Sequence, residues 1–340
     1  MTTEHTTAVR PAPDSAGGPI EGRWKLTARR IASEHLIWPI LLLLVIIGAF
    51  VPGFLSGGNL LNLLWGAAPL GCMVLGLYFV MIAGKLDLSL ESTFALAPTV
   101  GVLCMGDWLG LNPVLGIVVT LLVGVAIGAF NGIVSVGLNV NPFLVTLATL
   151  LTLRGVVVFL IPEGVYDLPS IYTSLGGRQL IGGLPIAVLV LVILFAGAFG
   201  VMRYTTFGRS LIGIGNNEPA CRVAGINVAA VSVGAFMAAG FCAALGGLLE
   251  AGRLFSVDAS MGQGEILTVF AATTLGGTAL AGGRGHVTGL LGAILVIGGI
   301  TNIMNLIGVE SSIQQIVFGV VLLAAILLSS LQDRLRTVRV

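Results

Sequence analysis

Ten stretches of this chain run through Leu, Val, Ile, Ala and Gly with almost no charge, each long enough for the roughly 17 residues that a membrane-crossing helix needs. They lie near 37–53, 60–83, 88–106, 114–137, 141–161, 184–203, 228–250, 265–283, 286–306 and 312–330. So much apolar side chain cannot be hidden inside a water-soluble fold of 340 residues. Only 9% of the residues are charged, against about 25% in soluble domains. Transmembrane barrels are built from short alternating strands instead. The sequence therefore predicts an all-α, polytopic membrane protein of about ten transmembrane helices. The eighth run is the weakest. Its core, TTLGGTALAGG, is short and rich in glycine, so it reads as a broken or re-entrant segment buried in protein or lining a cavity.

The distribution of Lys and Arg orients the spans. With the N-terminus in the cytoplasm, Arg23, Lys25, Arg29, Arg30, Lys85, Arg203, Arg209, Arg222, Arg284, Arg334, Arg336 and Arg339 all fall inside. Only Arg178 and Arg253 fall outside. Residues 1–36 then form a cytoplasmic tail, 37–330 the membrane domain and 331–340 a second cytoplasmic tail. No signal peptide is expected. The outer loops carry Asp107, Glu163, Asp167, Asp258 and Glu310. Ordinary solvated charge and a docking face for a basic partner both account for them.

Two packing features stand out. Gly124, Gly128 and Gly132 repeat every four residues, which lets a neighbouring helix approach closely. Cys72, Cys104, Cys221 and Cys242 form no CxxC pair and read as small buried hydrophobes.

Between the sixth and seventh runs lies a polar island, TTFGRSLIGIGNNEPACRVAGINV. Its second half predicts a short helix, with Asn217 as N-cap, Pro219 in the first turn and Gly225 closing the end. Two turns of helix are not stable alone in water, so this one needs a surface to lie against. Glu218 and Arg222 share a face of it. The chain has no GxxxxGK[ST] loop, and its lysines, Lys25 and Lys85, sit in no such pattern. His5, His35 and His286 are scattered, and neither GxSxG nor HExxH occurs. No catalytic residue, metal site, resident cofactor or nucleic-acid partner is expected. If ATP drives this protein, another chain binds it.

At these residues the chain resembles a family. The segment TTFGRSLIGIGNNEPACRVAGINV looks like the cytoplasmic loop of ABC transporter permeases of the bacterial ribose/xylose/galactose type. MGQGEILTVFAATTLGGTALAGGRGHVTGLLGA, MIAGKLDLSLES and NPFLVTLATLLTLRG resemble three further signatures, in the family's order, and the likeness covers roughly residues 37–330. The resemblance implies a type II ABC importer permease fold in the bacterial inner (plasma) membrane. It implies as partners a cytoplasmic ABC ATPase, a periplasmic or lipid-anchored sugar-binding protein, a second permease chain in a homodimer or heterodimer, a sugar-like substrate and membrane lipid. The loop 204–227 would carry the coupling helix, with Thr206, Phe207, Gly208, Arg209, Asn216, Asn217, Glu218, Pro219, Ala220, Arg222 and Gly225 as ATPase-coupling positions.

The pattern departs from the family at one place. The family's GGIDLSVGS is GKLDLSLES here, so Lys85 and Glu91 replace glycines while Asp87 and Ser89 remain. Lys85 can snorkel to the surface, and Glu91 can pair with Lys85 or with Arg154. Arg154 lies inside the fifth run, where a lone cation costs about 2.5–3.5 kcal/mol on insertion scales. It must face a carboxylate that locks helices together, or substrate. Thr146 and Thr149 bond back to helix carbonyls or line a pathway. Asn302, Asn305 and Gln314 are amides that bind sugar hydroxyls or join helices. The substrate-pathway set is therefore Asp87, Ser89, Thr146, Thr149, Arg154, Asn302, Asn305 and Gln314. A nucleoside or branched-chain amino-acid permease remains an alternative, as does an ion-coupled secondary transporter.

Overall fold

The computed structural model describes residues 37–106 and 108–337. The N-terminal tail 1–36, Asp107 and the last three residues lie outside the described residues. Every predicted run contains a helix. They are α1 (Ile37–Gly48), α2 (Gly57–Ile82), α3 (Leu90–Met105), α4 (Pro113–Gly132) with a π turn at Ile133–Gly137, and α5 (Pro142–Leu160). After a short helix α6 (Ser170–Gly177) come α7 (Ile186–Tyr204) and the loop helix α8 (Thr206–Val223). The chain ends with α9 (Val228–Leu254), α10 (Glu265–Leu275), α11 (Val287–Leu306) and α12 (Ser311–Thr337). Among the described residues six helices are long and apolar enough to cross a membrane, and four apolar helices are shorter.

Local chemistry sets several of these boundaries. Asn112 and Asn141 each precede a proline, and their side-chain oxygens accept from the backbone N–H groups of Leu115 at 3.0 Å and Phe143 at 2.9 Å. An Asn cap followed by Pro at the first helical position satisfies a free N–H and supplies a ready φ. Asn227 caps α9 through the Ala230 N–H at 3.0 Å.

The helix α9 is the axis of the bundle, with α2, α3, α4 and α6 packed around it. Its contact with α4 is the glycine stripe read from the sequence. A side chain on Gly124 would strike the Gly240 carbonyl, and one on Gly128 the Phe236 carbonyl. Gly132 meets Val233 in the same way. On α3, Pro98 has no N–H to donate back to Phe94, and Gly247 of α9 packs on that Phe94 carbonyl. The four cysteines are all free and buried, as expected.

The outer helices α4, α5 and α7 turn large apolar side chains outward, among them Leu122, Phe130, Leu151, Phe159, Ile193 and Phe199. Such a surface suits hydrocarbon. Of the four shorter apolar helices, the two shortest fall furthest below its thickness. At 1.5 Å per residue α10 reaches only about 16 Å, and Gly276 and Gly277 follow it. This is the broken eighth span anticipated from its glycines. The first span is shorter than predicted, because α1 ends at Gly48 and turns follow. The small pairing of Val165–Tyr166 with Ser256–Val257 and the helix α6 had no clear signal in the sequence.

Candidate functional site

A cavity of about 400 Å³ opens among the first half of α2, the end of α9, the 258–262 loop, the start of α10, the second half of α11 and the start of α12. Its apolar lining includes Pro69, Leu70, Met73, Phe94 and Ile297. Its polar lining includes Asn62, Glu250, Arg253, Asp258, Glu265, Thr268, Asn302, Asn305 and Gln314. Arg253 and Glu250 form a forked pair, with Nε to Oε2 at 3.0 Å and a terminal nitrogen to Oε1 at 2.6 Å. Of the two roles considered for the amides, the structure shows the joining of helices. Asn302 exchanges hydrogen bonds with Asn59 at 2.8 and 2.9 Å, and Gln314 donates to Asn305 at 2.8 Å. They join helices while facing the cavity.

The other members of the predicted pathway set stand apart from this lining. Arg154 sends one nitrogen to Glu91 at 3.1 Å and another to the carbonyls of Ala259 and Met261 at 2.9 and 3.1 Å. The second oxygen of Glu91 accepts the Ile266 N–H in the first turn of α10, at 3.3 Å. One largely buried ion pair thus ties α3, α5, the 258–262 loop and α10 together, and a carboxylate at a helix N-terminus is favourably placed. Of the two partners considered for Glu91, the structure selects Arg154.

Asp87, Ser89 and Thr149 form a chain with a residue the sequence reading missed. Ser89 donates its N–H and hydroxyl to one Asp87 oxygen at 2.9 and 2.6 Å. Asn131 donates to the Ser89 hydroxyl at 2.7 Å and accepts from Thr149 at 2.7 Å. All four are buried. Asn131 is a lone amide inside an otherwise apolar run, and that isolation was its signal. Thr146 bonds back to the Pro142 carbonyl at 2.9 Å. Asn62, Glu250, Arg253 and Glu265 were also missed as lining residues. They sit at the ends of runs, where polarity reads as the edge of a membrane.

A second polar region lies at the opposite ends of α2 and α11. The loop helix α8 starts on Thr205, whose hydroxyl accepts the Gly208 N–H at 3.2 Å. It breaks at Asn217, where φ is −159° and ψ is 89°. Beyond the break Asn217 caps the predicted short helix by accepting the Ala220 N–H at 3.0 Å, and Gly225 ends it at φ 80°. The first half, Thr206–Asn216, is helical too, beyond what the sequence suggested, because Gly208, Leu211 and Ile214 make one buried face. There Gly84, Gly215, Gly282 and Gly283 meet backbone to backbone, and a side chain on Gly215 would strike the Ile82 carbonyl. Gly283 donates to the Ile82 carbonyl at 2.9 Å, and Asn216 donates to the Gly283 carbonyl at 3.1 Å.

Of the loop residues, Thr206, Arg209, Asn216, Asn217, Pro219, Ala220, Arg222 and Gly225 are exposed, Phe207 packs beside Gly234, and Gly208 is buried. Glu218 accepts from Arg222 at 2.7 Å and from Lys85 at 3.2 Å. These bonds, that of Arg222 first, hold its carboxyl below the ordinary glutamate range against the opposing effect of partial burial. The Lys85 contact replaces the simple snorkelling considered for that residue.

An apolar-sided bundle with a polar cavity at one end, a glycine-packed junction at the other and long helices joining them has the build of an integral membrane transport subunit. The chain belongs to the branched-chain amino acid transport system / permease component family, whose model matches residues 59–326. It is similar to the ribose import permease protein of Escherichia coli (strain K12), at 32% identity over 92% of this chain and 98% of that one. Its identity to the ribose import permease protein of Bacillus subtilis (strain 168) is 35%, over 85% and 90%. With the L-arabinose ABC transporter permease protein of Azospirillum brasilense it shares 29%, over 93% of each chain. No solved structure matches it. The resemblance to sugar permeases is thereby borne out, and the chain is an integral inner-membrane protein.

Proposed function

We propose that this chain is the membrane-spanning permease subunit of an ATP-binding cassette importer for a monosaccharide or related polyol. The observation that carries the reading is the match, over nearly the full length of both chains, to permeases named for ribose. The cavity supports it. The amides, the Arg253–Glu250 pair and the carboxylates of Asp258 and Glu265 offer hydrogen bonds to a hydroxylated solute, and the apolar lining suits the faces of a sugar ring. The family's description names branched-chain amino acids, so a hydrophobic amino acid is the second reading.

In this account a separate cytoplasmic ATPase, a binding protein on the outer side and a second permease chain complete the importer. Both termini and the 204–227 loop face the cytoplasm, and the cavity opens outward. Of the residues 206–225 named above, the exposed ones form the ATPase-facing surface, while Phe207 and Gly208 seat the loop helix on the bundle. Of the predicted pathway residues, Asn302, Asn305 and Gln314 meet the solute, while Asp87, Ser89, Thr146, Thr149 and Arg154 hold the helices around it. ATP is bound by the partner, and this chain breaks no bond.

The test is uptake by the importer reconstituted with its ATPase and binding protein, comparing labelled D-ribose, L-arabinose and L-leucine. Pentose uptake that requires ATP and the binding protein is expected. Uptake of leucine alone would overturn the sugar reading.

A further inference from the structure

Lys85 and Glu91 stand where the family pattern has glycine, and each ends in an ion pair within another of the signature stretches. Glu91 pairs inside the bundle with Arg154. Lys85 reaches the loop helix instead. It follows α2 by way of Gly84, which takes a φ of 70°. Its side chain is only 12% exposed, and its ammonium lies 3.2 Å from Glu218.

The place of Glu218 gives this contact its meaning. Glu218 is the first residue after the break at Asn217. Because Asn217 is extended, the helix before it cannot fix the direction of the turns that follow. The Asn217 cap and the Glu218–Arg222 pair act within the short helix and leave its orientation free. Burial of Cys221 holds one face down. Lys85 supplies a charged, half-buried tie from Glu218 to the end of α2. The opposite part of α2, from Asn62 to Met73, lines the cavity.

We propose that Lys85 is a positioning residue for the helix 218–223, fixing its orientation against the end of α2 through Glu218. The proposal rests on the reading of 204–227 as the ATPase-facing loop. It means that Glu218 is engaged inside the chain. A partner meets the exposed Arg222 and Val223, the latter 92% exposed, or competes with Lys85 for the carboxylate.

Hydrogen–deuterium exchange of the full chain in lipid nanodiscs tests the positioning. In Lys85→Met the amides of 217–226 should exchange about two- to fivefold faster, the scale of one such ion pair, with 206–215 unchanged. Lys85→Arg should restore most of the protection. The exchanged pair Lys85→Glu with Glu218→Lys should be better protected than either single variant. Unchanged exchange in Lys85→Met, or no recovery in both Lys85→Arg and the exchanged pair, overturns the proposal. In the reconstituted importer, with D-ribose as the probe, Lys85→Met should move several-fold less sugar per ATP while the ATPase co-purifies as before. An unchanged ratio, with faster exchange, overturns the functional half. A wild-type importer that takes up leucine and neither pentose overturns the sugar reading, and the exchange experiment still decides the role of Lys85.

Discussion

An arginine inside a membrane-spanning helix is tolerated only where its donors are met, and Arg154 meets a carboxylate and two carbonyls. Removing it would leave Glu91 buried and charged without its cation. Breaking a buried pair in this way costs about 3–5 kcal/mol. Arg154→Met should therefore lower the melting temperature in detergent substantially, and adding Glu91→Gln should recover much of the loss. Equal melting of Arg154→Met and wild type would show that the pair does not lock the helices. The sequence could say that Arg154 needs a partner, since that follows from the cost of a lone charge. It left two candidates for Glu91, because Lys85 and Arg154 were equally open as partners until the chain's path was known. Thr146 and Thr149 show the same limit. They sit three residues apart on one helix, yet one bonds to its own turn and the other to Asn131 of α4.

Helices were the most legible elements. Length and hydropathy located all ten runs, and the starts expected near 114 and 141 fall within a residue of the helices that begin at Pro113 and Pro142. The short helix α6 and the pairing of 165–166 with 256–257 were hidden because their sequences lack a strong period. The glycine stripe on α4 was legible as a packing face, but its partner, α9, was not. That pairing makes a sharp contrast possible. On Gly128 a side chain meets the Phe236 backbone, whereas Gly197 on α7 has open space where a Cβ would stand. Overpacking costs about 1–3 kcal/mol, more where backbone must move. Gly128→Leu should lose folded protein in size-exclusion chromatography after mild heating, and Gly197→Leu should not. Similar losses in both would mean that α7 is covered too.

At the scale of the molecule, α2 spans about 30 Å between Asn62 in the cavity and its end at Ile82, three residues before Lys85, at 1.5 Å per residue, which matches the thickness of a bilayer's hydrocarbon. The two polar regions therefore belong on opposite sides of the membrane. Cysteine placed at Glu163 should react with an impermeant thiol reagent from outside intact cells, and cysteine at Val223 only after the inner face is opened. Both positions are exposed, and Gly164 is avoided because its φ of 74° would strain any side chain. Labelling of Val223→Cys from outside would reverse the orientation and remove the loop from the ATPase. The native thiols suit this experiment well. Cys72, Cys104, Cys221 and Cys242 are all shielded by protein, so the unmodified chain should be dark to such reagents. Each introduced cysteine can then be read against the natural sequence, with no need first to strip it of its own.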